Sequence, residues 1–259
     1  DHSVIIKGHL IDPIDLIFID LDGDGTLETF EVAQEYLADT DNNTWLIGSH
    51  DIMGENLIGR GGSDWFISNA GNDIIIGGAG ADVIDGGLGV DEIDYSTDAA
   101  SGGEAGVFVD LSAGTATDGF GANDELTNVE NVTGSDQNDQ LIGSDVDNVI
   151  VGGGGDDTIV GGAGNDTLIG GEGDDNIFGG AGDNLIDGGE GSGDLVSFYQ
   201  SGTGVVVDLQ IGAGVIHSEG IDTIANIENI EGSSQVDSLI GDSEGNVLFG
   251  KEGDDIIKG

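Results

Sequence analysis

The chain has no cysteine and only one proline, Pro13, among its 259 residues. Disulfides are therefore excluded as a source of stability. Basic residues are nearly missing too: lysine and arginine total 4 against 52 aspartates and glutamates, which gives a formal net charge of −48. Between Arg60 and Lys251 there is no lysine or arginine at all. Such a chain cannot neutralise itself with salt bridges, so it stays expanded unless it binds cations.

The negative charge also limits the possible partners. Nucleic acid and anionic lipid surfaces carry the same sign of charge and are repelled. No apolar run approaches the roughly 20 residues of a membrane-spanning helix. The sequence contains no zinc motif and no triad-like context for its four histidines, which are His2, His9, His50 and His217. We therefore expect neither an enzyme, nor a nucleic-acid partner, nor membrane insertion.

Glycine, by contrast, is abundant, with 51 residues, and much of it falls in a nine-residue repeat. Residues 134–187 read as GSDQNDQLI, GSDVDNVIV, GGGGDDTIV, GGAGNDTLI, GGEGDDNIF and GGAGDNLID. The pattern is G-G-x-G-x-D-x-U-x, with U apolar. Glycine lets the first positions adopt positive φ, position 6 supplies a carboxylate, and positions 7–9 predict a short strand whose middle residue points inward. A flexible linker would not carry an aliphatic residue at every ninth place.

This pattern resembles the calcium-binding nonapeptide of the RTX (repeats-in-toxin, hemolysin-type) proteins. The resemblance implies an all-β fold, a parallel β-roll in which two nonapeptides form one coil. It also implies several bound Ca²⁺ ions, each between two loops stacked on the same edge. Carbonyl and carboxylate oxygens suit this ion, which takes about six to eight of them.

The roll is predicted for residues 48–259, with nonapeptide arrays at 59–94, 134–196 and 232–259. Where position 6 is Asn, it offers an oxygen without a charge, so we expect those sites to be weaker. The predicted position-6 ligands are Asp64, Asp73, Asp82, Asp91, Asp139, Asn148, Asp157, Asp166, Asp175, Asn184, Asp194, Asp237, Asn246 and Asp255. The glycines predicted to shape the ligand loops are Gly62, Gly71, Gly78, Gly80, Gly87, Gly89, Gly153, Gly155, Gly162, Gly164, Gly171, Gly173, Gly180, Gly182 and Gly253.

Position 8 is predicted to point into the core of the roll. In array one, the outward positions beside it are also apolar, at Trp65, Ile67, Ile74 and Ile76. An exposed apolar patch of this kind needs a cover, and residues 1–47 are the nearest candidate. The predicted inward residues include Phe66, Ile75, Ile84, Ile93, Leu141, Ile150, Ile159, Leu168, Ile177 and Ile186.

Two inserts, residues 95–133 and 197–231, interrupt the nonapeptides and are copies of each other at an offset of 98. Their alternating valines predict strands, and we expect wider rungs that continue the same solenoid. Arrays joined by such V-x-V-D-L and N-[VI]-E-N segments resemble long bacterial RTX surface proteins. The matching stretches are GVFVDLSAGTATD with GVVVDLQIGAGVI, and NVENVTGS with NIENIEGS.

Residues 1–47 differ from the rest, and we expect them to form a small α+β cap. Residues 20–31 match the EF-hand loop template without departure, and Phe30–Leu37 suits the helix that leaves such a loop. The preceding residues 16–19 look more like a strand than a helix, and 39–50 read as a second, degenerate copy of the loop. The predicted calcium ligands of the first loop are Asp20, Asp22, Asp24, Thr26, Glu28 and Glu31.

The sequence favours a calcium-dependent structural section of a bacterial surface adhesin or layer protein. The resemblance implies type I secretion to the extracellular side or cell surface, and we expect a piece of a longer chain with neighbouring domains. The alternative is the secretion and folding module of an extracellular lipase, protease or polysaccharide epimerase. A further alternative is calcium-triggered self-cleavage at Asp12-Pro13, because some RTX proteins cut such a bond ahead of a similar acidic loop.

Overall fold

A computed structural model describes residues 37–38, 45–48, 54–211, 213–217 and 220–259. Within these residues the chain forms short strands joined by loops, with one four-residue helix. The elements are β1 (Leu37–Ala38), β2 (Trp45–Ile47), β3 (Asn56–Ile58), β4 (Trp65–Ile67), β5 (Ile74–Ile76), β6 (Val83–Asp85), β7 (Glu92–Asp94), α1 (Asp98–Ser101), β8 (Phe108–Asp110), β9 (Thr115–Thr117), β10 (Asn123–Thr127), β11 (Asn131–Thr133), β12 (Gln140–Ile142), β13 (Val149–Gly154), β14 (Thr158–Ala163), β15 (Thr167–Glu172), β16 (Asn176–Ala181), β17 (Leu185–Glu190), β18 (Leu195–Ser197), β19 (Val206–Asp208), β20 (Ala213–His217), β21 (Gly220–Ala225), β22 (Asn229–Glu231), β23 (Ser238–Ile240), β24 (Val247–Phe249) and β25 (Ile256–Lys258).

The strands form two sheets, and successive nonapeptides alternate between them. The first sheet has the order β1-β3-β5-β7-β11-β13-β15-β17-β21-β20-β19-β23-β25, and the second β2-β4-β6-β10-β9-β8-β12-β14-β16-β18-β22-β24. Within the arrays the pairing is parallel, and each residue faces the one two repeats later, as Leu141 faces Ile159 and Ile150 faces Leu168. The predicted parallel β-roll, with two nonapeptides per coil, is therefore confirmed.

The core is a column of position-8 side chains between the two sheets. These residues are buried through the first two arrays and at Leu239, whereas Leu248 is partly buried and Ile257 in the last coil is 49% exposed. Burying one such side chain contributes about 1.5–3 kcal/mol, so the column provides most of the apolar stabilisation. The inward positions predicted from the repeat are all buried: Phe66, Ile75, Ile84, Ile93, Leu141, Ile150, Ile159, Leu168, Ile177 and Ile186.

Each insert continues the roll and adds an up-down-up group of three strands to one sheet. In the first insert, β10 pairs in parallel with β6 and β8 with β12, while β9 lies antiparallel between β8 and β10. In the second, β20 lies antiparallel between β19 and β21. The antiparallel strand was not predicted, because the alternating valines indicate a strand but not its direction.

The two inserts widen opposite sheets. Eight strands, β11 to β18, separate them along the chain. Because consecutive strands alternate between the sheets, an even number places the second insert in the sheet that the first one left unwidened.

Two strands within the predicted N-terminal cap pair with the roll: β1 pairs with β3, and β2 with β4. Leu37, expected to close the helix that follows the EF-hand loop, lies in β1 instead. The loop itself, the Asp12-Pro13 bond and most of the degenerate copy lie outside the described residues. The boundary between cap and roll therefore stays a prediction.

Candidate metal sites in the stacked loops

The loops between strands have a repeated left-handed backbone conformation at positions 2 and 4. In the loop before Asp157, Gly153 has φ 112° and Gly155 φ 102°. All fifteen glycines predicted to shape the loops have positive φ. The conformation also occurs at Arg60 (φ 77°) and Asn69 (φ 71°), but not at Ser135, Ser144 or Ser233, which hold position 2 in other loops. The loops with Gly, Arg or Asn at position 2 therefore share this conformation, and glycine is the residue that adopts it without strain.

Glycine is also needed because stacked loops approach backbone to backbone. A Cβ atom placed on Gly173 would lie 2.2 Å from the carbonyl oxygen of Gly155, one coil earlier. No side chain fits at that separation. The close approach brings main-chain carbonyls of two loops together, as a shared cation site requires.

The position-6 side chains form a hydrogen-bonded ladder along the stack. Asp157 Oδ1 accepts a hydrogen bond from the backbone N–H of Asp139, 18 residues earlier, at 2.8 Å, and Asp175 Oδ1 accepts one from Asp157 at the same distance. Asp194 keeps this role, at 2.8 Å from the Asp175 nitrogen, although its loop contains one extra residue. The ladder fixes one carboxylate oxygen of each aspartate.

The other oxygen is buried without a hydrogen-bond partner in six of these aspartates. Each of the six residues is at most 1% exposed. Leaving an ionised carboxylate oxygen buried and unpaired costs several kcal/mol at least. A bound cation would remove that cost. The six oxygens are Oδ2 of Asp82, Asp91, Asp157, Asp166, Asp175 and Asp194.

A main-chain carbonyl lies close to five of these six oxygens, those of Asp91, Asp157, Asp166, Asp175 and Asp194. A Cβ atom placed on Gly152 would lie 2.2 Å from Asp157 Oδ2 and 2.4 Å from the carbonyl oxygen of Gly170. Gly170 shows the same arrangement with Asp175 Oδ2 at 2.1 Å and Gly188 O at 2.3 Å. A carboxylate from one loop and a carbonyl from the loop one coil later thus face the same glycine.

This donor set fits calcium. No group of three or more histidine, cysteine, aspartate or glutamate side chains gathers around one point in the described part of the chain. In the loops of Asp157 and Asp175 only the position-6 carboxylate is buried, whereas Asp156, Glu172 and Asp174 are exposed. The remaining oxygens would come from the main chain. Carbonyl and carboxylate oxygens in a flexible arrangement are the ligands that Ca²⁺ takes, whereas a soft metal would need nitrogen or sulfur.

Without a cation, burial raises the pKa of these carboxyls. Desolvation raises the pKa of Asp82 and of Asp157 from 3.8 to about 8, with repulsion from neighbouring aspartates adding to it and a backbone hydrogen bond opposing it. The same causes raise the pKa of Asp91 and Asp194 to about 6. A bound divalent cation reverses this effect, because it stabilises the ionised form.

Not every predicted position-6 residue has a side-chain oxygen without a hydrogen-bond partner. In loops with serine at position 2, the carboxylate is satisfied inside its own loop: Asp139 accepts hydrogen bonds from the Ser135 N–H at 2.6 Å and from its hydroxyl at 2.8 Å. Asp237 has the same two bonds to Ser233, at 2.8 and 2.7 Å. The structure thus separates glycine-type loops, with glycine at position 2, from serine-type loops, with serine there. This difference was not predicted, because both types share the aspartate at position 6.

The asparagines at position 6 also divide into two kinds. Nδ2 of Asn246 donates a hydrogen bond to the carbonyl of Glu228 at 2.9 Å, and Nδ2 of Asn148 donates to the carbonyl of Glu130. Asn184 lies in a glycine-type loop, where its Oδ1 continues the ladder and its Nδ2 has no partner. Asp255, in the last coil, accepts from the Asp237 N–H at 2.9 Å and is partly exposed.

Four ladder residues in the inserts were missed from the sequence. Asp124 Oδ1 accepts from the Asp82 N–H and Asp222 Oδ1 from the Asn184 N–H, both at 2.9 Å. Glu130 and Glu228 continue the ladder in the same way. The available signal was a carboxylate two residues before an apolar one, as in the nonapeptide. That signal occurs in Asp-Glu-Leu at 124–126, Asp-Thr-Ile at 222–224, Glu-Asn-Val at 130–132 and Glu-Asn-Ile at 228–230.

Asp124 also contacts a buried tyrosine at the base of the first insert. The Tyr95 hydroxyl donates to Asp124 Oδ2 at 3.0 Å, and Tyr95 is fully buried. Burial raises the pKa of Asp124 to about 7, while its hydrogen bonds from the Asp82 N–H and from Tyr95 lower it. Both oxygens of this carboxylate are thus engaged by the protein.

Comparison with known proteins agrees with this geometry. The sequence profile of the RTX calcium-binding nonapeptide repeat (4 copies) matches residues 58–93, 133–168, 161–195 and 227–259, just over half of the chain. The chain therefore belongs to the RTX calcium-binding nonapeptide repeat family, and its repeats bind multiple Ca²⁺ ions. It is a structural calcium-binding module, and its β-roll is the scaffold that brings the loops together.

Among solved structures, the extracellular lipase LipA from Serratia marcescens matches with 13% sequence identity and a TM-score of 0.23. The match covers 80% of this chain and 40% of the lipase, so the chain spans less than half of that protein's length. No curated protein sequence matches the chain. In the described residues, no helix has the length and apolar character needed to span a bilayer.

Proposed function

We propose that this module folds when it meets extracellular calcium, and that it stiffens a secreted bacterial surface adhesin or layer protein. The main support is the set of six buried aspartates with an unpaired Oδ2, in a stretch without any basic residue. The chain cannot compensate these charges itself. Cations from outside must do so for the roll to be stable.

The ions would be held by the glycine-type loops. In each, the position-6 carboxylate would supply Oδ2, and the loop one coil away would supply main-chain carbonyls. Calcium would then join neighbouring coils in addition to the strand pairing, the position-6 ladder and the apolar column. Extracellular calcium modules have dissociation constants of about 10⁻⁴–10⁻³ M. The free calcium concentration of the cytosol is far below these values. The chain would therefore stay unfolded before export and fold afterwards.

The adhesin or layer-protein role is supported by the larger repeat. Array, insert and N-[VI]-E-N segment recur at an offset of 98 residues, and each insert continues the roll rather than ending it. Such a unit can be repeated along a long chain without an active site. The complete reading frame tests this part: further extender units support an adhesin, whereas a hydrolase or epimerase domain contradicts it.

Circular dichroism of the chain tests the calcium part. In EDTA we expect the spectrum of a disordered chain. Calcium added to a few times a dissociation constant of about 10⁻³ M should produce β-structure. Magnesium should substitute poorly, because its small octahedral shell does not match these loops. A folded spectrum in EDTA that does not respond to calcium would contradict the proposal.

A further inference from the structure

The short turns before β11 and β22 occupy the places of complete nonapeptide loops. Thr127 pairs with Asp85 and Asn131 with Glu92, which are positions 9 and 7 of their repeats. Asn128 is therefore at position 1 of the coil and Glu130 at position 6, with a single residue between them instead of four. The second insert has the same register, with Asn226 at position 1 and Glu228 at position 6.

Each glutamate points toward the aspartate one coil earlier. Glu130 Oε2 accepts a hydrogen bond from the Asp91 N–H at 2.9 Å, and Glu228 Oε2 accepts one from the Asp194 N–H at 3.0 Å. Oε1 is not used in this bond. Glutamate is one methylene longer than aspartate, and this extra reach compensates for the three residues that the turn lacks.

The aspartate in each pair has a buried, unpaired oxygen that faces the turn. Beside Gly86, the point that a Cβ would occupy is 2.8 Å from Asp91 Oδ2 and 2.1 Å from the carbonyl oxygen of Asn128. Asp91 is fully buried, and this Oδ2 has no hydrogen-bond partner. The arrangement is the one that Asp175 Oδ2 and the Gly188 carbonyl form beside Gly170 in the regular array.

The second insert repeats the arrangement independently. Beside Gly188, the corresponding point is 2.8 Å from Asp194 Oδ2 and 2.0 Å from the carbonyl oxygen of Asn226. Asp194 is fully buried, and its Oδ2 is likewise unpaired. Two segments 98 residues apart, in opposite sheets, thus place a carboxylate oxygen and a carbonyl oxygen in the same relation.

The asparagines hold these carbonyls in place. Asn128 has φ 52° and Asn226 φ 50°, a left-handed conformation that asparagine tolerates better than most residues. The Asn128 side chain donates to Asp85 Oδ1 at 2.8 Å, and the Asn226 side chain to Asp187 Oδ1 at 2.7 Å. The turn conformation is therefore fixed by hydrogen bonds to the preceding coil.

We propose that the two Asn-x-Glu turns are shortened calcium loops. One Ca²⁺ would lie between Asp91 and Glu130 with the Asn128 carbonyl, and a second between Asp194 and Glu228 with the Asn226 carbonyl. This inference rests on the proposal that position-6 carboxylates bind calcium in the regular loops. Water completes the coordination, which Ca²⁺ accepts because its shell is flexible. The row of ions then continues through the inserts.

The test compares calcium stoichiometry in the full chain by native mass spectrometry and isothermal titration. Glu130→Gln and Glu228→Gln remove the charge but keep an oxygen for the ladder, as Asn184 does when it accepts from the Asp166 N–H at 2.9 Å. We expect each variant to bind one ion fewer and the double variant two fewer. Glu125→Gln, an exposed residue of the same insert, is the matched control and should bind as the wild type does.

Asp166→Asn, in a regular loop, separates the two proposals. If it loses an ion while Glu130→Gln and Glu228→Gln lose none, the shortened loops are ladder turns only and this inference is wrong. If Asp166→Asn also loses none, the assignment of the regular loops fails. Should Glu130→Gln and Glu228→Gln not fold, anomalous diffraction from the wild-type chain with bound lanthanide decides. A peak between Asp91 and Glu130 supports the site, and peaks in regular loops alone overturn it.

Discussion

The side-chain amide of Asn148 donates a hydrogen bond to the main-chain carbonyl of Glu130, and 98 residues later Asn246 donates the same bond to Glu228. An aspartate at either place could not donate it. Asparagine therefore suits the second nonapeptide after each insert, whose loop stacks on the shortened Asn-x-Glu turn. The lower charge at position 6 is a consequence of this contact.

Replacing a position-6 asparagine by aspartate should have opposite effects at Asn148 and at Asn184. Asn148→Asp removes the donor and sets a carboxylate against the Glu130 carbonyl, so we expect the calcium-loaded roll to lose about 1–3 kcal/mol of unfolding free energy. Asn184→Asp adds a charge in a glycine-type loop and should raise calcium affinity. Thermal melts and calcium titrations of both variants check this, and equal effects at the two sites would contradict it.

The two loop types should differ in their need for calcium. Asp157→Asn removes the charge from a loop whose Oδ2 is unpaired, and we expect calcium affinity at that site to fall about tenfold, since ligand charge is a main determinant of affinity. Asp139→Asn acts on a carboxylate already satisfied by Ser135, so affinity should change little. Isothermal titration of the two variants, with far-UV circular dichroism as a check on folding, gives the comparison. A larger loss in Asp139→Asn would show that the serine-type loops bind calcium as well.

Acid should stabilise the calcium-free roll. Burial raises the pKa of Asp82 and Asp157 to about 8, so between about pH 4 and pH 8 the folded state binds more protons than the unfolded state. The stability that protonation provides is complete below the unfolded pKa and is lost as the pH rises through about 8. In EDTA, where we expect the chain to be disordered at neutral pH, far-UV circular dichroism should therefore show β-structure increasing as the pH falls from about 8 to 5.

Calcium should reverse this dependence, because the ion needs the ionised carboxylates. Over the same range of pH we expect calcium affinity to fall with acid, and a titration at several pH values measures it. A calcium-free chain that gains no β-structure with acid would show that carboxylate burial does not control the stability of the roll.

The N-terminal segment should be coupled to the roll through its EF-hand-like loop. Glu31→Gln weakens the predicted bidentate ligand of that loop while preserving its size. We expect a lower melting temperature in calcium and greater protease sensitivity around residues 38–60, since β1 and β2 pair with β3 and β4 of the roll. If only the first 40 or so residues loosen and the roll melts unchanged, the segment is an independent appendage.

The repeat was predictable from sequence because each nonapeptide position has one physical task. Ile159 lies in the core, and Gly153 has positive φ, as the pattern requires. The role of Glu130 could not be predicted in this way, because it comes two residues after Asn128 instead of five. Only the strand register shows that it stands at position 6. The difference between Asp139 and Asp157 depends on Ser135, whose hydrogen bonds the repeat pattern does not encode.

The unequal widening of the sheets has a mechanical consequence. Between β6 and β12 the second sheet holds three strands where the first holds only β11 between β7 and β13, and the second insert reverses the imbalance. Each extra strand adds about 4.8 Å to one side of the stack, so one insert tilts the solenoid axis and the next tilts it back. A filament built from such units follows a zigzag whose period is two units.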